Sequence, residues 1–166
     1  MTRKVRKARY EDLDILDVLY ENARTFMHTH GNPDQWNEGK PNRIDLAENI
    51  ENGELYVVEN NEQIEGSFAL IFGEDPTYTY IDGCWLNEKP YAAVHKVASA
   101  HTAKGIGNFI LSYCKSRCSN LKIDTHKDNV FMQNCIRRND FIHTGIIYLA
   151  NGDPRLAYQF SKDENK

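Results

Sequence analysis

Three features of the sequence predict an α/β domain of the α+β kind, with one mixed, mostly antiparallel sheet covered by helices. Apolar residues first recur at helical steps, in Leu13, Leu16, Leu19, Ala23 and Phe26. From residue 55 the pattern changes to short runs rich in Val, Ile, Tyr and Phe, broken by turn-forming Asn, Gly, Asp and Pro. Later, helical segments again separate strands. Sequential hairpins joined to helical crossovers produce a mixed sheet with helices on its faces. The 166 residues fit a single domain, 1–166, large enough to bury a core.

In chain order, residues 5–10 predict a first strand. Glu11 and Asp12 open a helix whose apolar face is Leu13, Leu16, Leu19 or Tyr20, Ala23 and Phe26 or Met27, ended by Gly31-Asn32-Pro33. Residues 34–41 form a loop around Trp36. Asn42 or Asp45 caps a second helix that reaches Ile50 and stops at Asn52-Gly53. Residues 55–59 and 63–72 pair as a hairpin. A turn at 73–76 precedes an extended run, 78–85. A strand with Ala92, Ala93, Val94, Val97 and Ala98 leads to a helix over 106–118, with Ile106, Phe109, Ile110 and Tyr113 on one face. Then come a strand over 121–125, a helix over 129–138, and strands over 141–150 and 155–160 joined by Asn151-Gly152-Asp153-Pro154. Residues 161–166 read as a polar tail.

The bulk numbers narrow the function. Hydrophobic residues are 40% and charged residues 27%, an ordinary globular balance. A net charge of −4 argues against nucleic acid as a partner. Nothing approaches the ~20 apolar residues of a membrane span, and the basic start is not followed by the apolar core of a signal peptide. Four cysteines are too few for a disulfide scaffold and read as thiols in a reducing, cytoplasmic compartment. Cys114 and Cys118 lie one helical turn apart without a second ligand pair near them in sequence, so no metal is expected.

The chemistry concentrates at residues 94–111. An apolar strand runs into a polar loop, then Lys104-Gly105-Ile106-Gly107 opens a helix. The first turn of a helix leaves N–H groups unpaired along a dipole that favours anions, and glycine lets a phosphate approach the backbone. A P-loop would need Lys-Ser or Lys-Thr after the second glycine, and a dinucleotide fingerprint would need a third glycine where Ile110 stands.

The surrounding pattern carries more. The strand with His95-Lys96-Val97 leads to Thr102-Ala103-Lys104-Gly105-Ile106-Gly107 and a helix. Ile123-Asp124, Asn129, a short helix and Asp140-Phe141 follow. This resembles the GNAT acyltransferase superfamily, whose signature after its fourth strand is [QR]-x-x-G-x-[GA], followed by a strand and a helix that carry an Asn and end near Gly-Phe. The likeness has motif quality over roughly residues 90–149. Over 1–89 it follows only the order of elements, with residues 23–36 similar to a bacterial branch. Thr102 replaces the Gln or Arg, Asp140 the Gly, and Ile136 the tyrosine that in many members protonates the departing thiolate.

The resemblance implies a GNAT fold, a central sheet of six to seven strands flanked by about four helices. It implies an N-acetyltransferase that moves acetyl from acetyl-CoA to a primary amine of a small molecule or peptide, by direct attack in a ternary complex, without a metal. Pyrophosphate would lie on Thr102, Ala103, Lys104, Gly105, Ile106 and Gly107. The pantetheine arm would run along His95 and Val97, with Asn129 reaching it from the other side. The Val97 N–H would stabilise the oxyanion. A monomer or homodimer, bound to neither membrane nor nucleic acid, is expected.

The remaining roles have two readings each. His95 alternates onto the face of Ala93 and Tyr91, and is either the base or a hydrogen-bonded structural histidine. Asp82 is either a base acting through water or a strand-end carboxylate. Asp124 and His126 either orient Asn129 or the acceptor, or serve as a buried support and a solvated ring. Phe26 and Met27 are acceptor contacts or core, and Trp36 lines the acceptor pocket or covers a surface. Tyr91, also placed at the acceptor, and Tyr148 are candidates for a replacement acid. Two rivals remain: a catalytically weak, CoA-binding sensor module, and a hydrolase using Cys135 as nucleophile.

Overall fold

The computed structural model describes residues 2–37 and 39–163. Eight strands form one sheet: β1 Arg3–Lys7, β2 Leu55–Asn60, β3 Gln63–Phe72, β4 Asp82–Gly83, β5 Ala92–Ser99, β6 Asn120–Thr125, β7 Ile142–Tyr148 and β8 Pro154–Ser161. The helices are α1 Leu13–Thr29, α2 Arg43–Glu51, α3 Ile106–Arg117 and α4 Val130–Arg138. Strand order is β1-β2-β3-β5-β6-β8-β7-β4. All neighbours are antiparallel except β5 and β6. The α+β class holds, with a sheet slightly wider than the six to seven strands expected.

Most element bounds follow the sequence signals. The Asn42 side chain accepts the Asp45 N–H while Asp45 accepts the Asn42 N–H, a reciprocal cap that starts α2. Three readings change. The start of α1 is a short 3-10 turn over Tyr10–Asp12, held because Arg6 grips both oxygens of Asp12 at 2.8 and 2.9 Å. Residues 78–85 are not one extended run. Pro76–Tyr78 form another 3-10 turn, capped by Asp75, and only Asp82–Gly83 pair as a strand. Ser161, read as tail, closes β8 against Asn120, while residues 164–166 of that tail lie outside the described residues.

The two faces of the sheet bury separate cores. α3 and α4 cover Phe68, Leu70, Val94, Leu121 and Ile123. α1 and α2 cover Leu55, Val57 and Ala69, and the segment before β5 covers Ala93, Ile147 and Ala157 on the same side. Gly66 of β3 lets α3 close down: a Cβ there would stand 2.6 Å from the Ile106 side chain.

The functional geometry comes from β5. Its pairing with β6 runs only over Ala92↔Leu121, Ala93↔Lys122 and Val94↔Ile123. Beyond Val94 the two strands part. There β5 carries a bulge, because three residue steps from His95 to Ala98 face two steps from Ala69 to Ser67. Lys96 takes a left-handed φ of 56°, and the buried Tyr20 hydroxyl donates to its carbonyl at 2.7 Å. The extra residue resets side-chain parity, so Val97 packs towards α3 and α4 and Ala98 towards α1.

Candidate active site

The parted strands open two connected spaces. The larger, about 430 Å³, runs between the C-terminal half of α1, the end of β5 and the N-terminal ends of α3 and α4. The smaller, about 100 Å³, lies deeper and is walled by Gln35, Trp36, His95, Lys96 and Asp124. Met27, Val97, Asn129 and Met132 line both.

The glycine turn stands at the outer end of the groove. Gly105 precedes α3 with φ 75°, a left-handed value glycine adopts freely. Phe109 is the first residue whose N–H reaches back within the helix, to Gly105 O, so the N–H groups of Ile106, Gly107 and Asn108 belong to the unpaired first turn. A Cβ on Gly107 would lie 3.0 Å from Cys135 Sγ, so the glycine keeps α3 and α4 close. Arg3, which the sequence did not single out, donates from Nη2 to Lys104 O at 2.7 Å and ties the turn to β1. Arg138 lines the groove. Ala103 departs from the expected cradle, because its N–H is already given to Ala100 O at 3.0 Å. Thr102 and Lys104 are exposed beside the turn.

Asn129 caps α4, with its Oδ1 accepting the Met132 N–H at 3.1 Å. Its Nδ2 donates to Gln35 Oε1 at 2.8 Å, and Asn32 Nδ2 donates to the same oxygen at 2.9 Å. The loop after α1 is thereby fastened across the opening. Trp36 packs on Tyr20, ring centroids 5.6 Å apart, and faces the inner space. Phe26 and Met27 line the outer groove, where Phe26 stacks on His30 at 3.8 Å and on His101 at 4.6 Å.

His95 emerges where the strands separate. Its Nε2 lies 2.8 Å from Asp75 Oδ2. The imidazole hydrogen bond holds the Asp75 carboxyl below its ordinary range, with the Thr77 N–H adding to the effect, so Asp75 is an anion that must accept. Nε2 then carries the hydrogen and Nδ1 is left as the basic nitrogen of the neutral ring. Tyr78 stacks over His95 at 5.9 Å and donates its hydroxyl to Asp124 Oδ2 at 2.7 Å. Burial and the Asp124 charge push the Tyr78 phenol well above its usual value, which keeps it a donor.

Several expected participants lie elsewhere. Asp82 is four strands from β5 in the sheet order, roughly 19 Å at the usual strand spacing, and exposed on the two-residue β4. Chain proximity misled here, because β4 pairs with β7 and not with β5. Asp75, in a turn the sequence marked only as a connection, holds His95 instead. Tyr91 faces away from the inner space behind Tyr78, and its hydroxyl accepts the Asp75 N–H at 2.7 Å. Tyr148 is exposed beside Tyr80. Ile136 is fully buried under the α3–α4 core. His126 is buried, not solvated, and its Nδ1 accepts the Asp128 N–H at 3.0 Å. Asp34, His126 and Asp128 bring ligand atoms within 4.8 Å of one another, yet that contact makes the group a closed turn first. Burial raises the Cys135 thiol, whose neighbours are the amides of Asn108 and Asn139, so it is a poor nucleophile.

No family model matches the sequence, and no curated relative does. Solved structures do. An acetyltransferase of the GNAT family from Streptococcus agalactiae is 28% identical, with a TM-score of 0.88 over 96% of this chain and 95% of its own. One from Bacillus cereus is 21% identical, with a TM-score of 0.62 over 98% and 99%. The aminoglycoside acetyltransferase AAC(6')-Ib, in complex with coenzyme A and kanamycin, shares the fold at 15% identity, with a TM-score of 0.66 over 98% and 96%. The strand order, the parted β5–β6 pair, the glycine turn and the near-complete superposition on the streptococcal protein together make this chain a member of the GNAT superfamily.

Proposed function

We propose that the protein is an N-acetyltransferase that moves acetyl from acetyl-CoA to a primary amine of a small molecule or peptide. The observation that carries this reading is His95, held by the Asp75 carboxylate at the point where β5 and β6 part. The residues present fit the donor. Three unpaired N–H groups at the start of α3, with Arg138 and Lys104 nearby, suit a pyrophosphate. The two connected spaces give a pantetheine arm a path past Val97 and Asn129 to the inner space. Coenzyme A bound to AAC(6')-Ib supports the same ligand class, and the aminoglycoside on that protein supports a small-molecule acceptor.

In this reading the acceptor amine sits between Trp36 and Asp124. His95 Nδ1 takes a proton from it, the nitrogen bonds to the acetyl carbon, and the carbon–sulfur bond breaks. The Val97 N–H holds the oxyanion. Coenzyme A leaves as a thiolate, a much weaker base than the tetrahedral alkoxide or an amide anion, so the apolar Ile136 is tolerable. His95 then returns its proton to solvent.

The assay follows free thiol while the protein meets acetyl-CoA and a panel of amines. Release that depends on the amine supports the transferase. Coenzyme A binding without release across the panel favours the sensor module. Amine-independent release abolished by alkylating Cys135 favours the hydrolase. Failure of acetyl-CoA to bind or to raise the melting temperature removes all CoA-based readings.

A further inference from the structure

A separate concavity of about 560 Å³ lies at the closed end of the β5–β6 pair, beyond Tyr78, and is bounded by Gly73, Tyr78, Trp85, Asn87, Tyr91 and Lys122. Its size is that of a small-molecule pocket. Tyr78, only 2% exposed, walls it off from His95.

The unusual group is Lys122. It is 6% exposed, and its ammonium sits 4.0 Å from the ring centroids of both Trp85 and Tyr91. Among the described residues no carboxylate, carbonyl or hydroxyl accepts from it, and the nearest acidic influence is the exposed Glu74. An ammonium has three N–H donors. Ring faces attract its charge but leave those donors unpaired, and a buried charge without acceptors is unfavourable. Burial accordingly pushes Lys122 down to about 8. The aromatic rings of Tyr78, Trp85 and Tyr91 share the pocket wall with polar residues such as Thr79 and Asn87, while Glu74, Glu88 and Lys89 are exposed at the rim.

We propose that this pocket binds a small monocarboxylate with a flat, apolar body, its carboxylate paired with Lys122 and its body against Trp85, Tyr91 and Tyr78. One deep cation matches one carboxylate. At the rim Lys89 is paired with Asp163 at 3.0 Å, so Glu74 and Glu88 dominate and repel phosphates and other multiply charged anions, and Lys122 repels amines, so neither acyl-CoA nor an amine acceptor fits here. This inference is independent of the transferase reading.

The test uses phenylacetate, with phenethylamine and inorganic phosphate as controls, on Trp36→Phe protein, in which Trp85 is the one remaining tryptophan. Phenylacetate is expected to change Trp85 fluorescence saturably, and the controls are not. Lys122→Met is expected to weaken phenylacetate at least tenfold, and Lys122→Arg to restore binding to within a few-fold. If Lys122→Met does not fold, the wild type decides, because the Trp85 indole proton resonance must shift on adding phenylacetate. The proposal is overturned by a lack of saturable binding, an unmoved indole resonance, equal binding to folded Lys122→Met or of phosphate, or displacement of phenylacetate by coenzyme A.

Discussion

The two sides of β5 are built in opposite ways. On the groove side, the glycine turn, the unpaired first turn of α3, Asn129 and the α4 cap all fall within residues 97–138, and each is formed by neighbours in sequence. On the His95 side, Asp75, Tyr78, Trp36, Gln35 and Asp124 come from three separate segments and meet only because the sheet brings them together. A local anion site can be carried by a short motif, since backbone N–H groups and a helix start suffice. A proton-handling site needs side chains at hydrogen-bond distance, and no fixed spacing specifies them.

If the two sides are functionally distinct, substitutions should divide them. The largest effect is expected for His95→Ala: kcat for acetyl transfer falls about 100-fold or more, while coenzyme A affinity by calorimetry stays within about twofold. A parallel loss of both would merge the two sides. Gly107→Val is the reverse case. Its side chain meets Cys135 Sγ, 3.0 Å from the Cβ position, and wedges α3 from α4. Coenzyme A affinity should drop about tenfold or more, on the scale of losing one or two charge-assisted hydrogen bonds. Unchanged affinity would move the phosphate site away from this turn.

Asp75→Asn should lower kcat by about tenfold, the ordinary scale for an orienting partner of a base, with coenzyme A affinity unchanged. The sign for stability is fixed too. The folded Asp75 carboxyl lies below its unfolded value, so its contribution is full above the ordinary carboxylate range and is lost as pH falls through the folded value. Melting temperatures of wild type and variant should therefore draw together as pH falls below the ordinary carboxylate value of about 4 and meet only below the folded value. A gap that does not narrow as pH falls through this range would assign Asp75 a role other than pairing with His95. The smallest effect belongs to Gln35→Ala, which unfastens the loop from Asn129 and Asn32. Acceptor KM should rise two- to fivefold, roughly one lost hydrogen bond, with kcat little changed.

The same contrast separates what local sequence specifies from what strand order specifies. His95 was assigned to the face of Ala93 by simple alternation, and the structure agrees because the bulge comes one residue later, at Lys96. Asp82 stands close to His95 in sequence, yet strand order carries it to the β4 edge of the sheet, where it is a strand-end carboxylate. Asp75 gave only the signal of a turn residue before Pro76. Tyr91 was expected at the acceptor and instead supports the Asp75 backbone from behind. Lys122 stands in a strand without any motif, and that no acceptor meets it among the described residues follows only from what packs around it.

The sequence by itself determined the order of elements, the helix caps and the anion-binding turn, because periodicity, capping and glycine geometry act over a few residues. The tertiary structure decided where β5 and β6 part, that Lys96 bulges under the Tyr20 hydroxyl, and which carboxylate reaches His95. Strand order and register set those distances, and they arise from packing across the whole sheet.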